Sequence, residues 1–286
     1  MNDQRIAILT DTGTNVPTDF AAAHDVRQVA LAINYSDGTF RSGVDITTDE
    51  VIDRFAQEIP TTSLPSPDDI QKALDAAQAD GYERAVFVTI SSGLSATNST
   101  VELVASHMEN FPVEVVDTKS IGVAAGMVVM AAVRMVEEGV PFEHLKGKLE
   151  EVSADTRVYF TVKDLMYLRH GGRINEATYR LGSMLNLKPV FFCDAEGKYA
   201  TVKKCRGWDK ALAAELAFVQ EEAKKYAKVV CAVCCTKAED RLEEIAAKMR
   251  ATIPNVVDVI ESGISPDLIV HTGPNLVGMA VQPALN

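Results

Sequence analysis

No apolar run in this 286-residue chain is long enough to cross a bilayer. The longest uncharged apolar stretch, Ile121 to Val133, is short and rich in Ala and Gly, so it reads as a buried helix. Basic residues are few: 28 Lys and Arg stand against 40 Asp and Glu, a formal net charge of -12. No basic cluster of the kind that tracks phosphates interrupts that balance, so nucleic acid is not an expected partner. Cysteine is scarce as well. Five is an odd number, and Cys231, Cys234 and Cys235 sit in VVCAVCC, a run with the pattern of a buried strand. Their Cys-x-x-Cys spacing has no second pair and no nearby His, which argues against both a disulfide framework and a zinc site. Walker and dinucleotide loops are missing too, since the first strand runs into Asp11-Thr12-Gly13-Thr14-Asn15 rather than G-x-G-x-x-G. No metal and no cofactor is expected. The opening MNDQRIAILTDTG lacks the charged, apolar and small-residue order of a signal peptide, and the expected location is the cytoplasm.

What is present is the ordinary balance of a folded protein, 47% hydrophobic and 24% charged, in a chain long enough to favour two domains. Short β-rich runs alternate with helical patterns: RIAILT, then VRQVALAI as one strand, a helix from Thr48 to Ile59, and one from Asp68 to Asp80. AVFVTI, a helix from Ala96 to Met108, VEVVD, and helices over Ser120 to Glu138 and Phe142 to Ala154 continue the series. This is the βαβ signature of a parallel sheet covered by helices. Beyond it, LKPVFFCD and KYATVKKC flank a Glu-Gly turn and predict an antiparallel hairpin, followed by a helix from Trp208, VVCAVCC, a helix from Ala238, VVDVIES and VGMAVQP. The expected fold class is α/β: a three-layer α/β/α domain with a parallel sheet over residues 1–152, and a mixed-sheet α/β domain over 153–286.

Ligands of open α/β sheets sit at the C-terminal ends of the strands. Hydroxyl-rich segments occupy such places: Asp11 to Thr14, Pro60 to Pro67, Ser91 to Thr97, and His271 to Pro274. Ser95 either caps the following helix or joins backbone N–H groups in facing an anion. Pro60 and Pro67 stiffen a surface loop around Thr61-Thr62-Ser63. His271 precedes Thr-Gly-Pro, which predicts a turn at a loop mouth rather than a helix. Arg173, after Gly171-Gly172, offers a guanidinium to a carboxylate or phosphate, with an intramolecular salt bridge as the competing use. Arg206 is similar and could belong to a partner surface. Ser95, Asp117 and His271 also follow the chain order of a hydrolase triad, although Thr97 stands where the nucleophile elbow needs its second glycine.

In order, TDTGTNVP, PTTSLPSP, SSGLSATNS, VVDTKS, LRHGGRI and HTGPNLVG resemble the motif series of DegV proteins over nearly the whole chain. The resemblance implies two α/β domains enclosing one long-chain fatty acid between them. It also implies the acyl-carrying, non-catalytic subunit of a bacterial fatty acid kinase, with an ATP-dependent kinase as partner and at most transient contact with a membrane. By the same resemblance the carboxylate would be held by Thr62, Ser95 (or Ser92) and His271. Arg206 would touch the head group and its phosphate or the kinase surface. Arg173 is a second candidate for head-group or partner contact, and Leu94, Ile121, Met127 and Met130 are candidates for the acyl tunnel, since the Ala/Gly/Met-rich helix from Ile121 could let a chain approach closely. Leu64, Ala96 and Asn275 depart from the residues common in that family. A serine esterase and a lipid-sensing scaffold are the competing functions.

Overall fold

The computed structural model describes residues 2–237 and 239–285. Its first half runs β1 (Ile6–Asp11), a 3-10 turn over Thr12–Thr14, α1 (Thr18–Ala23), β2 (Val26–Val29), β3 (Ala32–Tyr35), β4 (Gly38–Arg41) and α2 (Thr48–Arg54). It continues with β5 (Thr61–Ser63), α3 (Pro67–Ala79), β6 (Arg84–Thr89), α4 (Thr97–Ala105), β7 (Val113–Asp117), α5 (Gly122–Glu137) and α6 (Phe142–Asp155). The second half is β8 (Arg157–Val162), α7 (Met166–His170), α8 (Glu176–Met184), β9 (Leu187–Cys193), β10 (Tyr199–Arg206) and α9 (Trp208–Ala223). It closes with β11 (Val229–Cys235), α10 (Glu239–Thr252), β12 (Val256–Ser262), α11 (Pro266–Thr272) and β13 (Leu276–Pro283).

Strands β2, β1, β6 and β7 form an all-parallel sheet in that order. Every residue of β1 is buried, as a strand covered on both faces requires. Its side chains alternate: Ile6 and Ile8 pack with α5 and α6, while Ala7 and Leu9 pack with α3 and α4. The chain leaves β1 toward β2 on one side and returns to β6 on the other, so a crevice opens at the C-terminal ends of β1 and β6.

The second sheet has the order β10-β9-β8-β13-β11-β12, antiparallel except for the β11–β12 pair. Strand β11 divides its cysteines between the two faces: Cys231 and Cys235 pack under α9 and α10, Cys234 in the core toward the first half. Residues three apart on a strand point oppositely, so the Cys-x-x-Cys pair cannot converge on one ion. Helix α5 lies between the halves, buried from Gly122 to Val133. It touches the first turn of the chain closely enough that a Cβ on Gly126 would sit 2.7 Å from Thr14 O. Its small residues serve helix packing there.

Several expected elements differ. VRQVALAI is two strands, because Leu31 leaves the parallel sheet to donate its N–H to Thr12 Oγ1 at 3.0 Å, and β3 joins a separate antiparallel sheet ordered β4-β3-β5. The loop between Pro60 and Pro67 contains β5, where Thr62 pairs with Ile33. Helix α2 ends at Arg54 rather than Ile59, since Pro60 disfavours a helical residue before it. Helix α6 runs to Asp155, one residue beyond the expected Ala154. Strand β8 and helices α7 and α8 carry too short a periodic signal to have been assigned. The helix expected from Ala238 begins outside the described residues and is observed over Glu239–Thr252.

Candidate ligand-binding site

A cavity of about 330 Å3 opens at the crevice between β1 and β6, within the range of small-molecule sites. Thr62, Ser95, Leu94, Ile121, Arg173 and His271 line it, with Leu31, Ile90, Tyr199, Asp267 and Leu268. A second, smaller cavity of about 30 Å3 reaches toward Val158, Phe160, Cys234 and Gly278 of the mixed sheet. Ile121, Tyr199 and Leu268 border both, so the polar cavity and the apolar one adjoin.

The polar end is built by elements from both halves. Thr62 comes from the short sheet, and its Oγ1 lies 2.7 Å from His271 Nε2. His271 is in the last turn of α11, not in a loop. Ser265-Pro266 starts that helix, and its seven residues, about two turns, bring the imidazole onto the cavity wall. Burial, then the nearby positive charges of Arg173 and His170, push the His271 pKa down to about 3, so the ring is neutral. Its Nδ1 has no hydrogen-bond partner and packs against Gly171, where a Cβ would stand only 2.0 Å away. A buried N–H without an acceptor costs more than an unused lone pair, which assigns the proton to Nε2. Nε2–H then donates to Thr62 Oγ1. The Thr62 hydroxyl proton is left free for a guest in the cavity.

Arg173 donates to Leu94 O at 3.1 Å and to Gly171 O, both neutral carbonyls. Among the described residues no carboxylate lies in salt-bridge range of it. The intramolecular ion pair that competed for this arginine is absent, and burial lowers its pKa. A partly desolvated guanidinium without a counter-ion therefore faces the cavity. Ser95 Oγ accepts the Thr97 N–H at 3.2 Å and lies 2.8 Å from Thr97 Oγ1. It braces the first residue of α4 while lining the cavity; the N-cap itself is Ala96, which has no side-chain cap bond, so Ser95 is not the cap of this helix.

The loop carrying Ser95 is held against the hairpin of the second half. Ser91 Oγ donates to Gly197 O at 2.8 Å, and a Cβ on Gly93 would fall 2.4 Å from Glu196 O. Tyr199, just beyond that turn, enters the wall of both cavities.

Four residues expected at the site are elsewhere. Ser92 is exposed and takes Lys119 Nζ at 2.8 Å. Arg206 is exposed at the open end of the β9–β10 hairpin, seven residues along β10 from Tyr199 and so roughly 23 Å away. That separation removes it from a head group held at Thr62 and His271. Met127 packs in the central core and Met130 is buried, and neither lines either cavity. The cavities meet only the start of α5, at Ile121, Gly122 and Val123. Asn275 has φ 66°, the left-handed conformation that favours glycine. The hydrolase relay is not assembled: Asp117 pairs with Lys119 at 2.8 Å and accepts Ser92 N–H at 3.1 Å, while His271 Nδ1 meets no carboxylate.

The family model described as the uncharacterised DegV family matches residues 5–284. The chain belongs to the DegV family. A DegV domain-containing protein of Clostridium perfringens is 33% identical over 98% of this chain and 99% of its own length. Among solved structures, a DegV family protein from Thermus thermophilus, described by its fatty acid binding, superposes with a TM-score of 0.90 at 30% identity, covering 98% of this chain and 100% of its own. DegV of Bacillus subtilis, a fatty acid binding protein, gives 0.88 at 25% identity over 98% and 99% of the two chains. A stearic acid-binding protein from Eubacterium ventriosum gives 0.87 at 25% over 99% and 98%. The DegV fold thus accounts for 98% of the chain. No helix among the described residues is long and apolar enough to cross a membrane.

Proposed function

We propose that this DegV protein holds one long-chain fatty acid, carboxylate outward at Thr62, Ser95, His271 and Arg173, with the chain directed to the apolar end beside Phe160 and Gly278. The observation that carries this reading is Arg173, a partly buried cation without an acidic partner among the described residues that shares its cavity with Thr62 and His271. A carboxylate supplies the missing charge. Apolar side chains lining the larger cavity and the small one adjoining it offer the surface for an alkyl chain, and the relatives described as fatty acid binding proteins support the same guest. About sixteen methylenes at ~0.8 kcal/mol each give on the order of 10 kcal/mol of gross driving force before ordering costs.

The carrier then presents the carboxylate to an ATP-dependent fatty acid kinase and takes no chemical part itself. One arginine assisted by neutral donors holds the head group without the several fixed cations that would retain an acyl phosphate. Arg206, exposed with Lys203 and Lys204 on β10, fits the surface that meets the kinase. Leu181, Met184 and Leu185 are 45%, 84% and 47% exposed at the end of α8, a patch suited to brief contact with a membrane during loading. This work belongs in the cytoplasm. Loaded protein incubated with ATP and cell extract in the presence of hydroxylamine is expected to yield the acyl hydroxamate of the bound acid, and Arg206→Ala to lower that yield while leaving the ligand in place. Binding without hydroxamate would favour a lipid sensor over a substrate carrier.

A further inference from the structure

The cavity that holds Thr62, His271 and Arg173 has about 330 Å3, whereas the apolar one beside it has about 30 Å3, room for roughly two groups the size of water. Ile121, Tyr199 and Leu268 border both, so these three side chains make the wall between them. Two are aliphatic, from the N-cap of α5 and from α11. Tyr199 is the largest and the only aromatic one.

Other rings hold the Tyr199 ring in place. It meets Phe160 of β8 edge-on, with centroids 4.9 Å apart and planes at 63°, and Phe160 stacks on Phe191 of β9 at 5.4 Å. Phe160 lines the smaller cavity and not the larger, whereas Tyr199 lines both. The backbone under this ring is fixed as well. Tyr199 opens β10 opposite Cys193, directly after the turn in which Gly197 O accepts the Ser91 hydroxyl at 2.8 Å. That link ties the strand start to the first half of the chain, so the freedom left to Tyr199 is rotation of its side chain. Burial pushes the phenol pKa up, so the hydroxyl stays protonated and adds no charge to oppose a carboxylate.

A carboxylate held at Thr62, His271 and Arg173 leaves the first part of its alkyl chain among Leu31, Ile90 and Leu94 in the larger cavity. A short chain ends there. A longer one has to pass the Tyr199 ring, and the space beyond holds little of it while that ring lies on Phe160. Turning the ring aside gives up an aromatic contact and offsets part of the gain from burying further methylenes.

We infer that Tyr199 sets the acyl length this protein prefers, its ring acting as a partition that shorter chains leave in place and longer chains must turn aside. This rests on the fatty-acid reading of the same cavity.

The test is calorimetric titration of delipidated wild type, Tyr199→Ala, Tyr199→Leu and Tyr199→Phe with the even-numbered saturated acids from decanoic to octadecanoic. Each buried methylene corresponds to about fourfold in affinity. Wild type is expected to gain at that rate through the shorter acids and then to show a break, where the gain for the next two carbons is about fivefold smaller. Tyr199→Ala joins the two cavities and is expected to abolish the break, while Tyr199→Phe keeps the ring and the break with it. Should Tyr199→Ala not fold, Tyr199→Leu, which keeps apolar bulk without the ring, is expected to lose the break too. A wild-type series without a break, a break of unchanged size in Tyr199→Ala or Tyr199→Leu, or its loss in Tyr199→Phe would overturn this inference and leave the fatty-acid reading standing. Failure of every acid to bind wild type would overturn both.

Discussion

Replacing Arg173 by methionine is expected to weaken fatty-acid binding without weakening the fold. In the wild type the guanidinium is partly buried and, among the described residues, donates only to Leu94 O and Gly171 O and has no acidic partner. Folding therefore bears part of the cost of desolvating a cation, and a carboxylate guest recovers it. A hydrogen bond to a charged group contributes ~1.5–3 kcal/mol, so the loss corresponds to a dissociation constant raised roughly 10- to 150-fold. Methionine keeps much of the length and apolar contact of the side chain, and two hydrogen bonds to carbonyls are exchanged for relief of the unpaired charge. The melting temperature of the delipidated variant is expected to stay near that of wild type. Calorimetric titration with hexadecanoate gives the first quantity and thermal melting the second. An unchanged affinity would refute the placement of the carboxylate beside Arg173. A large fall in stability with unchanged affinity would make the arginine a structural residue.

Gly171 has φ -72°, which alanine adopts freely, yet its Cβ would stand 2.0 Å from His271 Nδ1. Gly171→Ala is expected to displace the imidazole from Thr62, costing ~1–3 kcal/mol of stability by overpacking and lowering hexadecanoate affinity in parallel; unaltered binding would argue against the His271–Thr62 pair. Asp11 is raised to about 7 chiefly by burial, so its stabilising contribution is full below the unfolded value of 3.8 and is lost as pH rises through about 7. The span corresponds to about 4 kcal/mol, and Asp11→Asn is expected to gain stability relative to wild type across that window; melting curves that stay parallel would contradict it. His271 has the opposite sign: its lowered pKa gives stability that is present above 6.5 and lost as pH falls toward about 3. Its ring nitrogens are expected to report a neutral Nε2–H tautomer by NMR between pH 8 and 5, and an imidazolium signal in that range would refute the assignment.

Some of this architecture is legible in the chain because local chemistry carries it. RIAILT is apolar on both faces and becomes β1, and the Glu-Gly turn marks the β9–β10 hairpin. Thr62, Ser95 and His271 are visible as a series of spaced motifs, and the cavity brings them together with Arg173. Helix α11 was less legible, since seven residues hold too few turns for periodicity to accumulate, although Ser265-Pro266 is a helix-start signal. Reading that helix would have placed Asp267 on the face of His271. Its partner Ser42 lies 225 residues away, a relation no local pattern encodes. Met127 and Met130 look suited to an adaptable lining, but α5 is enclosed by both halves and spends those side chains on the core. Arg206 follows the hairpin in sequence, yet strand direction carries it away from the turn that touches the site.

The most direct test of the central claim is mass spectrometry of the purified protein under native and then denaturing conditions, with the released acid identified in an organic extract. One long-chain acid per chain in the wild type, absent from Thr62→Ala/His271→Ala, is the predicted result. A protein that is isolated empty and takes up no added acid would contradict it.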